Sequence, residues 1–402
     1  MASIVQRNQS YSVVYYTKME GGKSKQKWET YQSEKEAEKR KWEIENATLF
    51  LGIAPKLSIL SELIEEYVHV YGATRWSYTA YSVRVSLIGR YIVPQIGNLK
   101  LSTVDGRLMS RYFHKLYDAK SVDSKHKPAK TDTITGSAVY DIYKLLRSIF
   151  NQAVAWGIYS ESPMKNVRVQ KHFSVPRNIL SMDQVKKVVE IATKENMDLS
   201  ITIQLAFVGS LRKGELLALC WKDFDFEKGF VYITKEIIRV AMKSLSAIAS
   251  KKPIYVFPTV KFNAKTRLVL KAPKTAAATR KVFLPQTLMD DLLNYKENQK
   301  EKCGGNPYQL IFSNEKGQPK ETGWLNKGFD ILLERCGLPK VVFHSLRHSS
   351  TTYKLLASGG DIKSVQGDNG HASADMVLNV YTRIQDEQRK NMAQQMENIF
   401  YK

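Results

Sequence analysis

The pentapeptide His344-Ser345-Leu346-Arg347-His348 lies just downstream of a predicted helix over residues 325–336. Its first histidine and its arginine are three residues apart, so on a helix they share one face and can address the same phosphate group. The alternative is a histidine satisfied at an interface beside a surface arginine. The pentapeptide alone leaves both interpretations open.

A second arginine lies upstream, in Leu211-Arg212-Lys213-Gly214-Glu215-Leu216. This segment follows a predicted helix that is broken at Gly209-Ser210, so we expect Arg212 at the start of a new helix. Glu215 is a candidate partner for Arg212. An arginine and a glutamate at this spacing also commonly form a simple surface pair.

A histidine and a tyrosine follow near the C-terminus. Gly370-His371 precedes Tyr381 by ten residues, through a stretch with helical character. One tyrosine among 21 is ordinarily a core or interface residue. The pair therefore gains meaning only together with the two arginine motifs.

Two arginines, two histidines and a tyrosine in this order resemble the tyrosine recombinase family, which includes phage and conjugative-transposon integrases. The resemblance implies a site-specific recombinase that cleaves and rejoins DNA through a 3′-phosphotyrosine, with no ATP, metal or other cofactor. It implies double-stranded DNA as partner, a tetramer on that DNA, and room for an accessory directionality protein. The catalytic residues that it implies are Arg212, Lys274, His344, Arg347, His371 and Tyr381, with Glu215 supporting the first arginine.

The lysine is assigned through its surroundings. The family's catalytic lysine sits in a β-hairpin turn, and Lys274 lies between the strand-like segments 266–270 and 282–284. We therefore take Lys274 as the candidate. Lys271 and Lys281 remain alternatives.

Two features depart from the family's pattern. The stretch from Arg212 to Lys274 is long for the family, which predicts an inserted β-rich excursion over residues 234–263. Ahead of His371, the polar residues 366–369 stand where relatives usually have an apolar residue shortly before the glycine.

The charge balance predicts a polyanionic partner. The chain of 402 residues has 61 Lys and Arg against 39 Asp and Glu, a net charge of +22. Such an excess typically neutralises phosphates, although it can serve solubility alone. The sequence has no apolar run of about 18 residues, so it predicts no membrane span. Three cysteines without a CxxC pair indicate free thiols, and the polar residues 1–9 predict a cytoplasmic, nucleoid-associated protein.

Residues 1–50 are predicted to form a small α+β domain. Its elements are strand-like runs at 3–5, 11–16 and 27–30, a Gly21-Gly22 turn and a charged helix over 35–45. The family resemblance implies an arm-type DNA-binding domain. A unit that only docks on its neighbour is the alternative.

Two larger domains are predicted to follow. Residues 57–169 have helical periodicity and resemble an all-α core DNA-binding domain, unless their arginines are only a solvated face. Residues 177–402 are predicted to form a mixed α/β, mainly α, catalytic domain that opens with a helix capped by Ser181 and Gln184. A C-terminal tail helix with apolar residues at helical spacing can pack in cis or in trans.

Two rival functions share parts of this pattern. A type IB-like topoisomerase also nicks DNA through a 3′-phosphotyrosine. A catalytically inactive DNA-binding relative would keep the fold without the chemistry.

Overall fold

The described part of the chain forms two units. The computed structural model describes residues 3–7, 10–18, 24–38, 40–41, 44, 57–122, 131–171, 178–248, 252–259, 264–303, 309–370, 373–374, 377–378 and 392–401. Unit 1 comprises Met1–Glu66, Arg90–Lys115 and Leu146–Arg168, and unit 2 comprises Tyr67–Gly89, Leu116–Leu145 and Val169–Lys402. The helical stretch 57–169 contributes to both units.

A three-stranded antiparallel sheet opens the chain. Its strands, in the order β1-β2-β3, are Ser3–Arg7 (β1), Ser10–Lys18 (β2) and Ser24–Tyr31 (β3), and a helical segment that includes residues 34–38 (α1) follows. Val13 and Ala37 are fully buried together, so the helical segment covers one face of the sheet. The predicted strands are confirmed, whereas Gly21-Gly22 lies outside the described residues.

The described residues between 57 and 169 are mainly helical, as predicted. Fully buried side chains recur at helical spacing, including Leu60 and Leu63 near its start and Ile149 and Phe150 near its end. Gly157, with φ of +73°, follows the last of these helices. The helices are Leu60–Glu66 (α2), Ala73–Arg75 (α3), Tyr78–Leu87 (α4), Val93–Ile96 (α5), Gly106–Tyr117 (α6) and Gly136–Ala155 (α7), with π-helical turns at Tyr67–Gly72 and Ile88–Ile92.

Helices also dominate the C-terminal part. They are Met182–Glu195 (α8), Met197–Val208 (α9), Lys213–Leu217 (α10), Met242–Ala247 (α11), Gln286–Cys303 (α12), Thr322–Arg335 (α13), Ser345–Ala357 (α14), Ile362–Asn369 (α15) and residues 392–400 (α16). Helix α9 is buried almost all round and lies at the centre of the core. The capping box of Ser181 and Gln184 is formed. Among the described helices, none is long and apolar enough for a membrane crossing.

Two small antiparallel sheets accompany these helices. The first has the order β4-β5-β9 and the second the order β6-β8-β7. The predicted excursion is therefore β-rich, and it continues to the end of β8. The strands are Phe224–Asp225 (β4), Phe230–Ile233 (β5), Glu236–Ala241 (β6), Tyr255–Val256 (β7), Thr266–Lys271 (β8) and Arg280–Phe283 (β9).

The strands on either side of Lys274 do not form a hairpin with each other. Strand β8 pairs with β6 and β7, whereas β9 pairs with β5. The hairpin expected between segments 266–270 and 282–284 is thus wrong. The physical reason is the excursion: the chain leaves the first sheet after β5, builds the second sheet, and returns to pair with β5 only at β9.

The second sheet packs on helix α4 within unit 2. Val240, Ile248 and Val269 bury their side chains with Tyr78 of α4. The hydroxyls of Ser82 and Ser244 are 2.6 Å apart and hydrogen-bonded. The excursion therefore holds α4 against the C-terminal part of the chain.

Candidate active site

Arg212 lies at the N-cap of helix α10, as predicted. The chain enters this position through Ser210, which adopts a left-handed conformation with φ of +52° that is uncommon outside glycine. Two contacts hold it there. Its carbonyl accepts a hydrogen bond from Arg347 Nη1, and its hydroxyl is 2.5 Å from that of Ser350. The loop before Arg212 is therefore fixed to helix α14.

Glu215 is buried and contacts two arginines. Its carboxylate accepts hydrogen bonds from Arg212 Nη1 at 2.6 Å and Arg280 Nη2 at 3.1 Å, and its side chain is 2% exposed. Burial raises the pKa of Glu215, but the charges and hydrogen bonds of Arg280 and Arg212 more than offset this, so its pKa lies below the usual value. Glu215 is an anionic bridge inside the protein and not half of a surface pair.

Arg347 lies in the first turn of α14 and is 3% exposed. Its Nη1 and Nη2 donate to the carbonyls of Ser210 and Asn369. Burial, helped by the charge of Arg212, lowers the pKa of Arg347 to about 9, which leaves it charged at neutral pH. His344 is the N-cap residue of α14, so it precedes the helix that was expected to include it, and its ring meets that of His348 edge-on at 5.0 Å.

Three arginines converge on the end of helix α15. Consecutive carbonyls of residues 368, 369 and 370 accept hydrogen bonds from Arg280 Nε, Arg347 Nη2 and Arg212 Nη2. Carbonyls at a helix C-terminus lack intrahelical partners and carry partial negative charge, so cations are favoured there. Gly370, with φ of +62°, ends the helix, and the next residue in the chain is His371.

His371 and Tyr381 lie outside the described residues. Among the described residues, the geometry brings together Arg212, Glu215 and Arg347.

The described part of this cluster has an excess of positive charge. Its cations are Arg212, Arg280, Arg347 and Lys354, and its anions are Glu215 and Asp368, which pairs with Lys354. Four cations against two anions leave two positive charges. Burial also lowers the pKa of Lys354. Because buried charge is unfavourable unless it is compensated, such a cluster is suited to an anion.

Lys274 is exposed on the connection between β8 and β9. The 3-10 turn Ala276–Ala278 follows it, and the carbonyl of Ala277 is 3.0 Å from where a Cβ on Gly370 would lie. The connection that carries Lys274 thus touches the arginine cluster at Gly370.

The two competing lysines are engaged elsewhere. Lys271 forms an ion pair with Glu236, and the Lys281 ammonium lies 4.7 Å from the centre of the Phe230 ring. Within the described chain, no hydrogen bond or ion pair engages the Lys274 side chain. This contrast favours Lys274.

Sequence reasoning missed Arg280 and Asn369. Arg280 is one of many basic residues in its region, and only the pairing of β9 with β5 brings it to Glu215. Asn369 occupies the polar stretch that departs from the family's pattern. It is fully buried, its amide donates to Thr351 Oγ1 at 3.0 Å, and its Oδ1 has no partner among the described residues.

Two solved structures with a similar fold are DNA-bound integrases. A Tn1549 transposon integrase fragment in complex with transposon right end DNA is 17% identical, with a TM-score of 0.62, and the match covers 83% of this chain and 99% of that one. A lambda integrase tetramer bound to a Holliday junction is also 17% identical, with a TM-score of 0.54 and 94% of each chain covered. These likenesses establish the fold.

Proteins with a similar sequence are also recombinases and integrases by name. A XerC-like tyrosine recombinase of Caldanaerobacter subterraneus subsp. tengcongensis is 27% identical over 320 residues, covering 76% of this chain and 74% of the relative. The ICEBs1 integrase of Bacillus subtilis is 22% identical over 271 residues, covering 66% and 67%. The model of the phage integrase family matches residues 178–388. The chain therefore belongs to the phage integrase family of tyrosine recombinases, enzymes that cleave and rejoin DNA.

Proposed function

We propose that this recombinase serves a mobile element, and that Arg212 and Arg347 hold the phosphate that Tyr381 attacks. The observation that carries the proposal is the hydrogen bonding of the two guanidiniums. Each has five N–H donors. Each uses one Nη1 and one Nη2 proton on protein groups, so three donors of each are left among the described contacts. Both guanidiniums are anchored on adjacent backbone carbonyls, and both keep donors that can bind the non-bridging oxygens of a phosphate.

The charge arrangement supports phosphoryl transfer. Negative charge on the non-bridging oxygens must be stabilised as the phosphorus becomes five-coordinate, and fixed donors cost no reorganisation at that moment. Planar guanidiniums present a rigid fork of donors that matches two oxygens at once, whereas an ammonium is a point charge without that fixed geometry. His371, next to Gly370, would add another hydrogen bond.

The reaction proceeds by exchange of one ester bond for another. The Tyr381 hydroxyl oxygen bonds to phosphorus while the bond from phosphorus to the 5′ oxygen breaks. The tyrosine proton passes to His344, and Lys274 gives a proton to the leaving 5′ oxygen. A 3′-phosphotyrosine and a free 5′ hydroxyl result. A 5′ hydroxyl from a second strand then reverses the steps and releases the tyrosine.

A sulfur substitution tests the role of Lys274. If Lys274 protonates the 5′ oxygen, Lys274→Ala should slow cleavage by about 10²- to 10⁴-fold, the usual contribution of a general acid. A duplex with sulfur in place of that oxygen should restore the rate, because a thiolate leaves without protonation. Lys271→Ala and Lys281→Ala are the controls. A defect in Lys274→Ala that persists on the sulfur substrate would remove it from this role.

The relatives favour recombination over the two rival functions, because they are recombinases and integrases by name. The whole constellation is expected to act on attachment or transposon-end DNA, in the direction of integration or excision. An accessory directionality protein would set the direction.

We further propose that residues 1–50 bind arm-type DNA sites, residues 57–169 bind the core site, and residues 177–402 catalyse. The sheet of residues 1–50 exposes Trp28 on the face opposite the helical segment α1, which suits contact with DNA. In the helical region, two arginines lie over aromatic rings. The Arg84 guanidinium is 4.7 Å from the ring centre of Trp76, and the Arg75 guanidinium is 5.6 Å from that of Tyr71.

We expect four chains to act on two duplexes, as in the lambda integrase tetramer on a Holliday junction. Footprinting of the full chain on attachment-site DNA should reveal separate arm and core segments, and light scattering of the same complex should give the mass of four chains. A single protected segment, or one chain per duplex, would contradict this arrangement.

A further inference from the structure

We propose that Arg280 is a positioning residue that fixes the orientation of Arg212 without touching the DNA. The proposal rests on the proposed function of Arg212 as a phosphate ligand. It assigns a role to a residue outside the predicted site.

Arg280 forms more hydrogen bonds to protein groups than either of the other two arginines. Its Nε donates to the carbonyl of Asp368 at 2.7 Å. Its Nη1 donates to Glu215 at 3.3 Å and to the Ala278 carbonyl at 3.1 Å, and its Nη2 donates to Glu215 at 3.1 Å. Four of its five N–H donors are thus used inside the protein, which leaves one. Because one donor is left on Arg280, against three each on Arg212 and Arg347, Arg280 is built into the protein and is unsuited to grip a phosphate.

Arg280 reaches Arg212 by two routes. The first is Glu215, whose two carboxylate oxygens are both bound by Arg280, so the carboxylate is fixed in the plane from which it holds Arg212 Nη1. The second is the end of helix α15. Arg280 holds the carbonyl of residue 368, and two residues later Gly370 accepts from Arg212 Nη2 at 3.0 Å. Both nitrogens that anchor Arg212 therefore depend on groups that Arg280 holds.

Close packing reinforces the second route. A Cβ on Gly370 would lie 2.9 Å from Arg280 Cδ and Nη1. Only glycine leaves room for Arg280 to lie against the chain just before His371. The distance between the helix end and the arginine is thus set by contact as well as by hydrogen bonds.

The first test is Arg280→Lys in the full chain. Its single-turnover cleavage rate on a suicide duplex should fall by about 10²-fold, comparable with the loss of one transition-state hydrogen-bond donor. Its DNA affinity and the slope of log affinity against log salt should stay at wild-type values. A slope smaller by about 0.9 would mean a lost phosphate contact and would overturn the proposal. Arg335→Lys, at an exposed ion pair with Glu195, is the matched control and should cleave normally.

A substrate change separates positioning from a general loss of structure. A methylphosphonate at the scissile position removes the charge that Arg212 stabilises. If Arg280 acts through Arg212, the defects of Arg280→Lys and Arg212→Lys should both shrink on this substrate. An Arg280→Lys defect of equal size on both substrates would indicate a merely structural role and would overturn the proposal.

Glu215→Gln provides a second variant, because it leaves Arg280 in place. It should reproduce the cleavage defect, and the double variant should be no slower than the slower single one. Multiplicative defects would refute the shared route. The outcomes also separate the two proposals. Normal cleavage by Arg212→Lys would contradict the proposed function. Slow cleavage by Arg212→Lys together with normal cleavage by Arg280→Lys would contradict only the positioning role.

Discussion

Replacing Tyr381 by phenylalanine should abolish covalent capture of DNA while leaving DNA binding intact. The change removes one oxygen, the atom proposed to bond to phosphorus, and none of the cationic side chains that hold the phosphate. Loss of a covalent nucleophile in a hydrolase has cost on the order of 10⁶-fold in rate, so the adduct should fall below detection. The measurement is a denaturing gel after incubation with a suicide duplex, alongside a binding titration.

A second tyrosine controls for nonspecific effects of the change. Tyr401 is 80% exposed at the end of helix α16, and Tyr401→Phe should form the adduct normally. An adduct that persists in Tyr381→Phe would reject the nucleophile assignment. Loss of DNA binding in that variant would show that it is damaged in more than its chemistry.

Arg212→Lys should cut the cleavage rate by about 10²- to 10³-fold, the usual cost of removing a preorganised donor to a developing charge. Lysine keeps the positive charge but loses the planar fork that reaches Glu215 and Gly370 together. Arg212 is 31% exposed, so the change disturbs the core less than one at Arg347. Single-turnover kinetics with enzyme in excess separates this loss from weaker binding.

Melting temperatures close to those of the unchanged protein would support a local effect. Near-normal cleavage by Arg212→Lys, with intact folding, would remove Arg212 from the active site.

Local patterns in the sequence correctly predicted Arg212 at the start of a helix, whereas His344 precedes the helix that was expected to include it. A break at Gly209-Ser210 implies a chain reversal before a new helix, and the structure places Arg212 at that helix's N-cap. The left-handed residue, however, is Ser210 and not the glycine. Sequence favours glycine for such a conformation, but the Arg347 and Ser350 contacts that accompany the serine come from a helix more than 130 residues away.

Long-range strand pairing was beyond the reach of the sequence. Segments 266–270 and 282–284 are strand-like and close together, which favours a hairpin between them. Their true partners are set by burial, since Val269 packs with Tyr78 and Val282 lies in the main core. The pairing of β9 with β5 brings Arg280 to Glu215, and for this reason the third arginine of the site had no signal in the sequence.

The polar stretch before His371 illustrates how a departure in sequence can be accommodated. Asn369 occupies a fully buried position, where an unpaired amide would be costly. Thr351 supplies an acceptor for its amide nitrogen and Arg347 binds its backbone carbonyl, whereas its Oδ1 has no partner among the described residues. The departure therefore leaves the carbonyl row at the helix end in contact with all three arginines.

We propose that Tyr381 becomes joined to DNA at a phosphate held by Arg212 and Arg347. The most direct test of this proposal is to trap the covalent complex on a suicide duplex, digest protein and DNA, and sequence the nucleotide-bearing peptide by mass spectrometry. We expect a 3′-linked nucleotide on Tyr381, in the peptide that follows His371. A nucleotide on any other side chain, or one linked through its 5′ phosphate, would contradict it.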